Sequence, residues 1–290
     1  MSIFLQLLVN GVLLGGAYAI ISISLTLIFG VVRVVNFAHG ELLMIGLYAT
    51  WLITSHTGLH PYATVIPVAL LLLVIGAAMQ RFVIQPLLSA EPHIQIFATV
   101  GVSTALLNLA LMVFGADVRS VQASFGADAF QLGPISIVTG QLVTFVVALV
   151  VALGVYLFLQ HTFTGRGFRA LAQNRSAAAL MGVNVKRAYI LVFALGTALL
   201  GLASGLLAVQ YPVFPTVGQY FVLTAFVIVV LGGLGSLPGA VVGSLFIGLI
   251  DSFAGFYVGS DLKEVVYFVI FLVILTVRPT GLFGLGRGSE

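Results

Sequence analysis

The 290-residue sequence contains no cysteine. That absence removes disulfide bonds, thiol catalysis and thiolate metal sites together, and it leaves the redox compartment unreadable. Charge is scarce as well: Asp, Glu, Lys and Arg make up 7% of the chain, against roughly 25% in a soluble globular domain. Also missing are the Gly-x-x-x-x-Gly-Lys-Ser/Thr loop that cradles ATP, the His-Glu-x-x-His zinc pair and the Gly-x-Ser-x-Gly nucleophile elbow. Neither catalysis nor a cofactor is expected of this chain, and any ATP-derived energy has to come from other subunits.

Apolar residues are abundant. They reach 61% of the sequence and the mean hydropathy is +1.22, which predicts an all-α polytopic membrane protein. The longest stretch without a span-length apolar run lies between Gly115 and Thr139, so residues 1–290 read as a single transmembrane domain. The first apolar run has no basic flank and no small-x-small cleavage site before it reaches Val32. It is expected to be a retained span rather than a signal peptide. With about 20 apolar residues needed per helical crossing, spans fall near 3–30, 37–54, 63–83, 94–114, 139–159, 188–209, 219–231, 240–257 and 265–277. The seventh is short: as a half-helix it leaves eight spans, as a crossing it makes nine.

A net charge of +3 and a pI near 9.3 do not point to nucleic acid, because the basic residues mark loops instead of striping a soluble face. Segment 161–187 holds Arg166, Arg169, Arg175, Lys186 and Arg187, five of the eleven basic residues, and no acidic one. Lys and Arg in short loops stay on the cytoplasmic side, so this segment is expected to face the cytoplasm. Counting nine spans outward from it puts Arg33, Arg81, Arg278 and Arg287 on that side as well. The loop 115–138, with Asp117, Arg119 and Asp128, and the turn with Tyr211, Pro212 and Pro215 then lie outside. The N-terminus is expected outside and the C-terminus in the cytoplasm.

Local chemistry refines the loops. Residues 165–173 read as a cationic extension of the fifth span, with Phe168, Leu171 and Ala172 on one face. Asn174 or Ser176 can cap a short helix running through Ala177 and Ala178 to Met181, since their side-chain oxygens accept from free N–H groups. Gly182 is placed to end that helix in the left-handed conformation. In the first span Gly11 and Gly15 make a Gly-x-x-x-Gly face for close helix approach. Pro238 interrupts a small-residue series from Gly232 to Gly248, which predicts two spans joined by a tight turn around residues 235–239.

The stretch 165–207, GRGFRALAQNRSAAALMGVNVKRAYILVFALGTALLGLASGLL, resembles the cytoplasmic coupling segment and following helix of LivH-type permease subunits in ABC importers for branched-chain amino acids. Ser176, Ala177, Ala178 and Gly182 sit where the importer pattern Glu-Ala-Ala-x-x-x-Gly falls, with Ser176 replacing the glutamate and no Leu-Pro downstream. VVRVVNFAHGELLMIGLY from Val31 and LGGLGSLPGAVVGSLFIG from Leu231 resemble further stretches of the same family. The resemblance implies a bacterial inner-membrane permease that pairs with a second, homologous permease, two cytoplasmic ATPase subunits and an external substrate-binding protein. It also implies that Arg175, Ser176, Ala177, Ala178 and Gly182 couple the permease to the ATPases. An ion-coupled secondary amino-acid transporter, using a mid-membrane carboxylate such as Asp251, is the alternative.

Polar residues inside spans mark either a pathway or helix-helix bonding. Asn10, Asn36, His39, Asn108 and Asp251 are such positions, and Asp251 is expected to face the bundle interior. Glu41 has two readings. It could meet the ammonium group of an amino-acid substrate, or, lying near the cytoplasmic end of its span, it could reach water or pair with Arg33. The second is the expected one, because charges near span ends are the less costly ones.

Overall fold

In the computed structural model, which describes residues 2–121, 125–126, 128–133, 135–259, 262–278 and 281–283, each of the nine apolar runs has a helix at its centre. Helix α1 is Ser2–Val32 and α2 is His39–Thr57. A 3-10 turn leads into α3 (Val65–Met79), which continues through a π turn into α4 (Gln85–Leu87) as one span, Pro61–Leu87. Then come α5 (Pro92–Phe114), strands β1 (Ala129–Leu132) and β2 (Ile135–Val138), α6 (Thr139–His161), α7 (Phe163–Gln173), α8 (Arg175–Leu180), α9 (Val185–Leu207), α10 (Val217–Gly232), α11 (Leu237–Tyr257) and α12 (Lys263–Val277). Six of the helices are long and apolar enough to cross a membrane, and α10 is a shorter apolar helix.

The long helices run in alternate directions between two ends of a bundle. One end carries the β-hairpin, where Gln6 at the start of α1 donates to the Ser136 carbonyl at 2.7 Å and accepts from the Ser136 N–H at 2.8 Å. At the other, basic end lie α7 and α8, and there the Arg33 guanidinium beyond α1 donates to the Ala172 carbonyl at 2.6 Å. Arg287 lies outside the described residues.

Helix α1 is the hub. A helix that is apolar all round belongs in a core, and Ile20, Ile21, Ile23, Leu25 and Ile28 are each essentially inaccessible. The Gly11 and Gly15 face admits α11 to backbone contact: a Cβ at either glycine would lie 2.8 Å from the Cα of Leu249 or Leu245. Between α10 and α11, Ser236 caps the new helix by accepting from the Gly239 N–H at 3.2 Å, and Pro238 sits in the first turn, where its missing N–H costs nothing. The predicted tight turn is there.

The architecture is that of an all-α polytopic membrane protein, with one small addition: the loop 115–138 contains a two-stranded antiparallel hairpin, Ala129 opposite Val138 and Leu132 opposite Ile135. The two strands are four residues each, too short to register beside span-length signals. Two local expectations need correction. The cationic stretch after the fifth span is not a continuation of it. Thr162 takes an extended conformation and accepts from the Gly165 N–H at 3.0 Å, which starts α7 as a separate helix. The second span begins at His39 rather than Phe37, after a non-helical segment that enters the bundle and a turn over Phe37 and Ala38.

Candidate functional site

The basic end is built by three successive caps. Thr162 starts α7, Asn174 Oδ1 accepts from the Ala177 N–H at 3.0 Å to start α8, and Asn184 Oδ1 accepts from the Arg187 N–H at 3.1 Å to start α9. Of the two caps the sequence offers for α8, Asn174 is the one used. The helix ends with the Val183 N–H bonded to the Ala178 carbonyl and the Gly182 N–H to the Ala179 carbonyl, both 3.0 Å, with Gly182 at φ +87°. That pair of bonds is the Schellman closure, which needs a residue at ease in the left-handed region.

Phe168 and Leu171 bury one face of α7, and Ala178 anchors α8. Arg175, Ser176, Ala177 and Gly182 remain exposed, and the Arg175 guanidinium lies 5.7 Å from the centre of the Tyr189 ring. Sequence reasoning missed the apolar part of this surface. Phe163, Leu180 and Met181 are 86%, 89% and 85% exposed. An open groove of about 600 Å³ runs beside them, lined by Phe163, Arg166, Met181, Arg187 and Leu191 among others. The available signal was three large apolar side chains standing among Arg, Gly and Asn in a loop.

A second concentration of polar groups lies inside the bundle. Arg33 follows α1 with φ +59°, residues 34–36 form no regular structure, and a turn over Phe37 and Ala38 leads into α2. Non-helical backbone at membrane depth must find partners within the protein. Here the Val35 carbonyl accepts from the Thr99 hydroxyl at 3.2 Å and Asn36 Oδ1 accepts from the Ala38 N–H at 3.1 Å. Helix α2 therefore starts in the interior, with Gly40 pressed backbone to backbone against Gly218 at the start of α10. Asn36 and His39 are fully buried, and among the described residues neither His39 ring nitrogen nor Asn36 Nδ2 meets a hydrogen-bond partner in good geometry.

Glu41 overturns its expected placement. It is 2% exposed and its Oε2 has no hydrogen-bond partner. Arg33 is committed to Ala172, and no ion pair to Glu41 occurs among the described residues. The reason is the non-helical segment before α2, which carries Glu41 inward from the span end. The side chain that it faces is Ser103 of α5.

Asp251 faces the interior as expected, and its carboxylate is saturated. Oδ1 accepts from the Lys263 ammonium at 2.8 Å, and Oδ2 accepts from Tyr18 at 2.6 Å and Tyr220 at 3.2 Å. Helices α1 and α11 are antiparallel and side chains lean toward their own helix N-terminus, so Tyr18 and Asp251 lean toward each other. Asn10 accepts from Gln6 at 2.9 Å. Asn108 stands apart on the outer face of α5, donating to the Thr104 carbonyl at 2.8 Å.

The family described as branched-chain amino acid transport system, permease component, matches residues 7–275. The chain belongs to this family. The permease is 32% identical to the high-affinity branched-chain amino acid transport system permease protein LivH of Escherichia coli, over 97% of its own length and 96% of the relative. It is also 32% identical to the corresponding permease protein BraD of Pseudomonas aeruginosa, over the same shares. The ribose import permease protein RbsC of Haemophilus influenzae is 30% identical over 81% of the permease and 72% of the relative. No solved structure matches it. The permease is a multi-pass membrane protein and a transport subunit, not an enzyme.

Proposed function

We propose that this permease is the membrane subunit of an ATP-driven importer that carries branched-chain or similar hydrophobic amino acids across a bacterial inner membrane. Two cytoplasmic ATPase subunits, a second homologous permease and an external binding protein complete the assembly. The observation that carries the reading is the α7–α8 surface, with exposed Phe163, Leu180 and Met181 beside Arg166, Arg169 and Arg187. Large apolar side chains among cations, on a rigidly capped pair of short helices, suit a soluble protein partner.

In this reading all nine apolar helices cross, the N-terminus is external and the basic end faces the cytoplasm. Arg33, Arg81, Arg166, Arg169, Arg175, Lys186, Arg187 and Arg278 supporting that orientation lie at or near one end of the bundle. Closure of the ATPases pushes on α8, and the push passes through α7 and the Arg33–Ala172 bond to the segment leading into α2. Amino acids are preferred over sugars because the relatives named for them match nearly the whole chain. Asp251, the carboxylate assigned to the ion-coupled alternative, is instead held by Lys263, Tyr18 and Tyr220, which favours the ATP-driven reading.

The test is leucine uptake by the complex reconstituted in liposomes with its ATPases and binding protein. Gly182→Trp and Arg175→Glu are expected to insert into the membrane normally but to uncouple ATP hydrolysis from uptake. Uptake at the wild-type rate by both variants refutes the docking role.

A further inference from the structure

Among the described residues two carboxylates, Glu41 and Asp251, are buried, and the fold treats them differently. Asp251 has an ammonium and two hydroxyls donating to it. Glu41, equally inaccessible, keeps an oxygen with no donor and has no cation beside it among the described residues. A charge in hydrocarbon is expensive unless it is paired, so a fold that completes one acid and leaves the other open marks the second as a place where the missing partner arrives from outside.

The cover over Glu41 is thin. Helix α5 follows the chain from the approach to α2 to the middle of that helix at three levels: Thr99 on the Val35 carbonyl, Ser103 beside Glu41, and Phe114 stacked on Tyr48 with ring centres 4.1 Å apart. Its other face is open, with Phe97 and Met112 largely exposed. Sideways movement of this one helix would uncover Glu41 without unpacking the core around α1.

Tyr48 supplies an independent observation. It lies seven residues after Glu41, on the same helical face and about 10 Å along the axis. Its hydroxyl is also buried without a partner. Between them, at the spacing of that face, come Met44 and Ile45. The stripe beneath α5 thus reads acid, aliphatic, hydroxyl, which suits a small molecule with a cationic head and an apolar body.

We propose that Glu41 receives the ammonium group of the transported amino acid at a site covered by α5, an assignment that rests on the amino-acid import proposed above. The deciding experiment uses the complete complex in liposomes. Wild-type leucine uptake comes first, and its failure refutes the import reading and takes the site with it. Where wild type imports leucine, Glu41→Gln is expected to lower uptake at least tenfold and Glu41→Asp to recover part of the loss. Glu41→Gln running at the wild-type rate overturns the site alone.

Because Glu41→Gln could fail to assemble, a second measurement uses the wild-type complex. Modification of Glu41 by a membrane-permeant carbodiimide during ATP turnover is followed by mass spectrometry of its peptide. Leucine-loaded binding protein is expected to slow the modification at least fivefold relative to empty binding protein. Equal protection by sodium ions assigns the site to an inorganic cation and overturns the proposal, as does absence of protection by leucine or absence of any modification.

Discussion

Removing the Lys263 ammonium tests whether the Asp251 cluster is held by charge or only by shape. Lys263→Met keeps most of the side-chain length but leaves the carboxylate with Tyr18 and Tyr220 alone. Breaking a buried pair by deleting one partner costs about 3–5 kcal/mol. The Lys263 side chain is 24% exposed against 4% for Asp251, so the pair sits at the rim of the low-dielectric region. Two charge-assisted hydroxyl bonds also survive, which places the cost at the low end, about 3 kcal/mol. Asp251→Asn should cost less, about 1–2 kcal/mol, because the amide oxygen still accepts from the tyrosines and the orphaned ammonium can turn toward water. At roughly 2–4 °C per kcal/mol for a chain of this size, Lys263→Met should melt roughly 6–12 °C below wild type, and Asp251→Asn roughly half as far below. The assay is thermal unfolding of the purified permease in detergent, followed by size-exclusion recovery of the monodisperse peak. A Lys263→Met variant within about 2 °C of wild type, or an Asp251→Asn variant that melts lower than Lys263→Met, refutes the argument.

Asn174→Ala removes the cap of α8 at a cost of about 1 kcal/mol. Because that loss falls on six residues at the docking surface, leucine uptake should fall while the melting temperature of the bundle barely moves, with Asn174→Asp restoring uptake. Gly201→Val should lower the yield of folded protein sharply, because a Cβ there would lie 2.6 Å from the Cα of Ala69 in α3, backbone that cannot yield. Overpacking of this kind costs about 1–3 kcal/mol or more. Gly154→Ala in α6, where a Cβ meets nothing within 4 Å, is the control and should be neutral or stabilising by up to about 1 kcal/mol. Fluorescence-detected size exclusion of the two variants compares them directly.

The helices were legible because a crossing writes itself into some twenty consecutive residues. The turn chemistry of the basic end was legible for a similar reason: Asn174, Ala177 and Gly182 act on backbone groups within a few positions of themselves. Depth was not legible for Glu41. Counting hydropathy lays the chain along a line, and nothing local announces that the non-helical residues 33–38 enter the bundle and lift the start of α2 away from the surface. The Asp251 cluster was hidden differently. Tyr18 and Asp251 are 233 residues apart, and the tyrosine looks in sequence like any aromatic in an apolar run. Lys263 resembles the flank of a span and becomes a partner only where the start of α12 meets α11, while the close approach of α1 and α11 through Gly11 and Gly15 brings Tyr18 to the same carboxylate.

Trp51 is the sole tryptophan in the sequence. Its ring lies 4.2 Å beneath the Arg119 guanidinium and edge-on to Phe114, and Arg119 in turn donates to the Phe114 carbonyl at 2.7 Å. The indole belongs to α2, Phe114 is the last residue of α5, and Arg119 lies in the loop just beyond it. The molecule therefore carries an intrinsic optical gauge across the seam between those two helices, one whose emission wavelength and quenching would follow any parting of them in real time, with no dye attached.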